Sequence, residues 1–268
     1  MRLTTGRAVT LGVGLPVMLA AAGWGGFTAT GWMAQTSEHH EASYDWHGGP
    51  ITLSSTAGSI HLVTGDGRQV VVAYTERYQL KTPTVTGAET PDGGVALRAK
   101  CPGGIFSSNC AINYTVTVPP GARVDLRTGD GSIEVADEAA GTTGLAVMAH
   151  TGDGHINVLN ARGPLDLSTG DGGITGAGLG SASVKAHTGD GGISLGFADA
   201  ATAVDASSGD GSIHITVPTD TGPYRVDASS GDGVTHVRVP TDPQSPRRIT
   251  AHTGDGSVTV DSMTVTHG

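Results

Sequence analysis

The chain has 268 residues, a formal charge of −10 at pH 7, 43 glycines and only 4% aromatic residues. With that acidic balance and no basic stripe to neutralise phosphates, a nucleic-acid-binding role is set aside. So few aromatic side chains cannot fill a thick core, whereas abundant Gly, Ser, Thr and Val suit many short strands joined by tight turns.

Arg2 and Arg7 precede an uncharged, largely apolar run from Ala8 to Ala34. About 20 apolar residues suffice to cross a bilayer, and no Lys or Arg follows for over thirty positions. The expectation is one transmembrane helix within residues 1–34, with the N-terminus cytoplasmic and everything after it extracytoplasmic. A cleaved signal peptide ending near Ala20-Ala21-Ala22 is the alternative. The run continues past that site through Trp24, Phe27 and Trp32, which favours an uncleaved anchor on the cell membrane. Residues 35–50 read as a polar spacer. Its His39, His40 and His47, with Glu38 and Glu41, are metal-ligating types, but a flexible spacer is a poor preorganised site, so no metal is assigned there.

Residues 51–123 read as an N-terminal cap and first coils. They hold a degenerate opening copy of a repeat, "SSTAGSIHLVTGDGRQ", then strands around Val70–Tyr74 and Val95–Ala99. In "CPGGIFSSNC", Cys101 and Cys110 flank a Pro-Gly-Gly turn. In an oxidising compartment this predicts a local disulfide clamping a hairpin loop, contributing about 2–3 kcal/mol. Without further Cys or His at finger spacing, zinc is not expected of the pair.

Tandem β-repeats are expected over 124–262, with a short tail at 263–268. Aligning on (Thr/Ser)-Gly-Asp-Gly gives eight copies, at Asp66, Asp130, Asp153, Asp171, Asp190, Asp210, Asp232 and Asp255. From Asp130 onward the spacings are 23, 18, 19, 20, 22 and 23 residues, the mark of a repeat architecture. Apolar or small residues stand six and four positions before each Asp, and mostly Ile, Val or Leu three and five after. Polar residues fill the positions between. Period-two alternation on both sides of every turn predicts two half-buried strands per repeat. Asp-Gly is favoured where a turn needs positive φ, which fits either a hairpin or a solenoid corner. The repeat length and the small residues beside each turn favour an all-β fold: a β-solenoid or β-helix-like stack, with a meander of β-hairpins as the alternative.

The stretch "YTVTVPPGARVDLRTGDGSIEV", Tyr114 to Val135, followed by serial "TGDGGI" units, resembles the bacterial putative-adhesin family of repeat β-domains, formally a family of unknown function. The resemblance spans Ile51 to Val260 behind a hydrophobic N-terminal segment typical of its members. It implies an envelope location, a repetitive β-sheet fold and an adhesin-type role, and it supplies no catalytic residues.

The Asp column invites a bound Ca²⁺, which takes carboxylate and carbonyl oxygens; the competing reading is that each carboxylate only serves its own turn. The repeat lacks the pattern of calcium-binding β-rolls, so the turn reading is preferred and no cofactor is assigned. His150, His187 and His252 share one outward phase, separated in sequence by Ser168, Ser207 and Ser229. With Asn157, His214 and His236 they form the candidate ligand face. No nucleophile elbow, Walker loop or H-E-x-x-H occurs, and an enzyme is not expected. The function expected is a membrane-anchored, extracytoplasmic adhesin-like module that contacts glycan or wall polymer through repetitive polar β-faces. The alternative is a regulatory or envelope-stress-sensing protein whose β-domain docks another membrane protein.

Overall fold

The computed structural model describes residues 36–79, 81–103, 110–137 and 144–263. The span expected over residues 8–34 lies outside the described residues. Among the described residues no helix is long and apolar enough to cross a membrane.

The N-terminal strands are β1 (Thr36–Asp45), β2 (Ile51–Ser55), β3 (Ile60–Thr64), β4 (Gln69–Tyr78), β5 (Thr84–Glu89), β6 (Val95–Lys100) and β7 (Ala111–Val118). The repeats then give β8 (Arg123–Thr128), β9 (Ile133–Ala136), β10 (Ala146–Thr151), β11 (Ile156–Leu159), β12 (Leu165–Thr169), β13 (Ile174–Leu179) and β14 (Ser183–Thr188). The last are β15 (Ile193–Phe197), β16 (Ala203–Ser208), β17 (Ile213–Pro218), β18 (Arg225–Ser230), β19 (Thr235–Val237), β20 (Arg248–Thr253) and β21 (Val258–Met263).

These strands form two sheets. Sheet I runs β1-β4-β7-β3-β9-β11-β13-β15-β17-β21-β19, and sheet II runs β18-β20-β16-β14-β12-β10-β8-β2-β6-β5. Each coil gives one strand to each sheet, as β10 to sheet II and β11 to sheet I. Neighbouring coils pair in parallel, so Val124, Val147, Leu165, Val184 and Val204 stand in one register column. Parallel pairing between coils overturns the hairpin alternative, in which consecutive strands would pair antiparallel. That column and its counterpart Ile133, Ile156, Ile174, Ile193 and Ile213 are at most 3% exposed. Each such side chain is worth about 1.5–3 kcal/mol of burial, which lets a narrow interior hold a long stack.

Two coils depart from chain order. β2 and β3 come first in sequence but lie between the coil β6–β7 and the coil β8–β9. β20 and β21 come last but lie between β16–β17 and β18–β19. Beyond β7, sheet I is extended by the antiparallel strands β4 and β1, and beyond β6 sheet II is extended by the antiparallel β5. Thr36–Asp45, expected as spacer, is therefore strand β1. The reason is its partner: all ten of its residues pair with β4.

Candidate functional site

The corner joining the two sheets has a different cause from the one expected. Among the described residues, glycines with positive φ are Gly48, Gly58, Gly93, Gly121, Gly178 and Gly222. None belongs to a Gly-Asp-Gly corner. A Cβ on Gly131, Gly154, Gly172, Gly191, Gly211 or Gly256 would instead stand 1.8–2.3 Å from a glycine carbonyl oxygen of the neighbouring coil. Glycine is required by close approach of backbones one strand spacing apart, about 4.8 Å.

The Thr or Ser opening each corner ties the coils together. The buried Thr151 hydroxyl donates to Gly131 O at 2.8 Å and accepts from Gly154 N at 3.2 Å. Thr169 repeats this with Gly154 O and Gly172 N, Thr188 with Gly172 O and Gly191 N, and Ser208 with Gly191 O and Gly211 N. Thr169→Val removes one hydroxyl and leaves a buried carbonyl and amide unpaired, each costing about 1–3 kcal/mol. The expected loss in chemical denaturation is roughly 2–4 kcal/mol, against under about 1 kcal/mol for Thr169→Ser, which keeps the hydroxyl. Equal losses for the two variants would refute this account of the column.

Asp130, Asp153, Asp171, Asp190, Asp210, Asp255 and Asp232 follow one another along this corner, all exposed. The amides of Asp153, Asp171, Asp190 and Asp210 each reach a glycine carbonyl of the preceding coil at 3.2 Å. Asp66 does not belong to the column: its tetrapeptide follows β3 and leads to β4. The true first corner is Thr56–Ser59, where Ala57 takes the Asp position and Gly58 O accepts from Thr128 at 2.9 Å. Cys101 and Cys110 are disulfide-bonded. Their loop joins β6 in sheet II to β7 in sheet I, so it closes the corner of an outer coil instead of a hairpin.

The six ligand-face candidates divide between the two outer surfaces. On sheet II, register places Arg127, His150, Ser168, His187, Ser207, His252 and Ser229 in a single outward row. Histidine and serine alternate strictly along its last six members because β20 is inserted between β16 and β18. His187 Nδ1 lies 2.8 Å from Ser207 Oγ, and His252 Nδ1 lies 2.7 Å from Ser229 Oγ. All six are exposed or half-buried. Arg127 starts the row in an ion pair with Asp125 at 2.9 Å, a hydrogen bond that holds its guanidinium pKa above the ordinary value.

Sheet I carries the other three. Its outward row reads Glu134, Asn157, Thr175, Ser194, His214, Thr259 and His236. His61 Nδ1 meets Glu134 at 3.2 Å. Beside the histidines, Arg238 pairs with Asp261 at 2.7 Å and holds that carboxyl below the usual range. Sequence reasoning missed Glu76: it belongs to no repeat column, and only the pairing of β1 with β4 sets it opposite Glu38.

Several solved structures are similar to this chain. A putative cell adhesion protein from Clostridium sporogenes ATCC 15579 shares 10% identity over 85% of this chain and 100% of its own, with a TM-score of 0.41. A putative lipid binding protein from Parabacteroides distasonis ATCC 8503 shares 12% over 84% of this chain and 96% of its own, with a TM-score of 0.47. A putative adhesin from Bacteroides fragilis NCTC 9343 shares 13% over 84% and 97%, with a TM-score of 0.41. No curated protein matches the chain. Residues 49–267 match the family described as Toastrack DUF4097, and the chain belongs to that family.

Proposed function

We propose that this protein is a membrane-anchored, extracytoplasmic binding module of the bacterial cell envelope that holds glycan or wall polymer against sheet II. The observation that carries this reading is the row His150, Ser168, His187, Ser207, His252 and Ser229 on six adjacent strands. A neutral imidazole and a hydroxyl each offer a donor and an acceptor. Strands about 4.8 Å apart repeat the His/Ser pair every ~9.6 Å. A hydroxyl-rich polymer lying across the strands meets the same pair again at each step, and weak contacts then multiply. The apolar run at residues 8–34 supports the tether.

The test is co-sedimentation of the full chain, in detergent micelles, with insoluble bacterial cell-wall material. Saturable pelleting competed by soluble wall polysaccharide is expected. His150→Ala/His187→Ala/His252→Ala should weaken it at least tenfold, while His214→Ala/His236→Ala on sheet I should not. Pelleting that is absent, or indifferent to the triple variant, rejects the reading.

The regulatory alternative, docking of another membrane protein, is favoured by the open end of the stack. β18 and β19 pair on one side only, and Val234 and Val237 are 56% and 38% exposed there. A partner strand could extend either edge. This version gives a stoichiometric protein crosslink in intact membranes and no polymer affinity.

A further inference from the structure

We propose that Glu38, His40 and Glu76 form a site for a divalent transition-metal ion of the zinc type, stapling β1 to β4 at the N-terminal end of the stack. The antiparallel register sets Glu38 opposite Glu76 and His40 opposite Tyr74. Residues directly opposite have Cβ atoms about 5 Å apart on one face, and His40 follows Glu38 by two residues on that same face. One donor atom from each of the three side chains lies within 4.8 Å of the others, the only group of three such residues among those described.

Glu76 points to a ligand independently of that proximity. It is 6% exposed, and its carboxylate makes no hydrogen bond or ion pair among the described residues. A buried carboxylate left so is costly unless it is neutralised or bound to a cation. Burial pushes its pKa up, as does the Glu38 carboxylate, while His40 pulls it down. Tyr74, Tyr44 and Tyr114 surround it without supplying a positive charge.

The other two ligands are already held. Tyr78 donates its hydroxyl to Glu38 Oε1 at 2.8 Å. The His40 ring stacks on Tyr74, centroids 4.9 Å apart and planes 24° apart, and its Nε2 lies 3.6 Å from Glu38 Oε2. Outer partners of this kind orient metal ligands. One imidazole and two carboxylates suit zinc, with a fourth position left for water; calcium takes six to eight oxygens. Zinc–donor bonds of about 2.0–2.1 Å require donors ~3.3 Å apart, which small side-chain rotations supply. The exposed Asp column offers no such convergence.

The test is titration of the chelator-stripped full chain, in detergent micelles, with Zn²⁺ and then with Co²⁺. One saturable equivalent per chain and a tetrahedral Co²⁺ absorption spectrum are expected. Glu76→Gln and His40→Asn should each weaken Zn²⁺ binding at least tenfold and abolish that spectrum. Asp153→Asn/Asp171→Asn should change neither. Circular dichroism in chelator checks that Glu76→Gln folds, and His40→Asn, on an edge strand, keeps the test decisive if it does not. No saturable site, or one that survives both substitutions and so belongs elsewhere among the chain's 11 histidines, overturns the proposal.

Discussion

Gly172→Ala is expected to destabilise the protein by about 4 kcal/mol or more, while Gly173→Ala, one residue along, costs less than about 1 kcal/mol. A Cβ on Gly172 would stand 1.9 Å from Gly154 O and 2.5 Å from Gly154 C. Those atoms are backbone, and the same carbonyl accepts the Thr169 hydroxyl at 2.8 Å. It cannot swing aside as a flexible side chain would, so relief comes only by parting two coils and breaking that bond. At Gly173 the nearest atoms are Gly192 O at 3.3 Å and His155 Nδ1 at 3.4 Å, a tight contact that needs only a small adjustment. Neither glycine has positive φ, so conformational strain does not separate the two variants, and alanine's lower unfolded-state entropy acts on both. Thermal melting by circular dichroism should show a fall of roughly 10 °C for the first and little change for the second. Equal shifts would mean that the corner glycines are not there for close packing.

The same contrast shows what the chain made legible. Each two-residue alternation around the Asp marks which face is buried, so the inner columns and the outward His and Ser positions could be assigned from the sequence. The reason for the corner glycines could not, because close backbone approach and positive φ both select glycine. Nor could the exclusion of Asp66, whose tetrapeptide is identical to that of the true corners and differs only in what precedes it. β1 was hidden for another reason: Ser37, His39, Glu41 and Ser43 alternate with Glu38, His40, Ala42 and Tyr44. Polar residues on both faces leave no apolar period to detect. Glu76 and its two partners went unassembled with it.

Coil order was the least legible feature, and it carries the second large effect. The inner columns repeat nearly the same side chains, so "AVDASS" of β16 could accept "RVDASS" of β18 as readily as "RITAHT" of β20. The fold chooses β20, and β18 and β19 are left with β20 and β21 as their sole strand partners. Ending the chain at Pro246 should therefore remove two coils' worth of structure for the loss of one. Ile249, Ala251, Val258 and Val260 are all fully buried, and losing the larger three forfeits about 5 kcal/mol or more of burial. The orphaned coil could in principle move up against β16 and β17. Its inner face is too poor to hold it there: Thr235 stands where other coils place Ile or Val, and Val226 and Ala228 are only half-buried. Tyr224 is 1% exposed, and the truncation also removes the Arg247 guanidinium 5.9 Å from its ring. Hydrogen exchange on the shortened chain should show protection lost over Arg225–Val237, while Val124–Thr188 stays protected. Retained protection at Arg225–Ser230 would mean that β18 has re-paired with β16 and that the inserted coil is dispensable for holding the end of the stack.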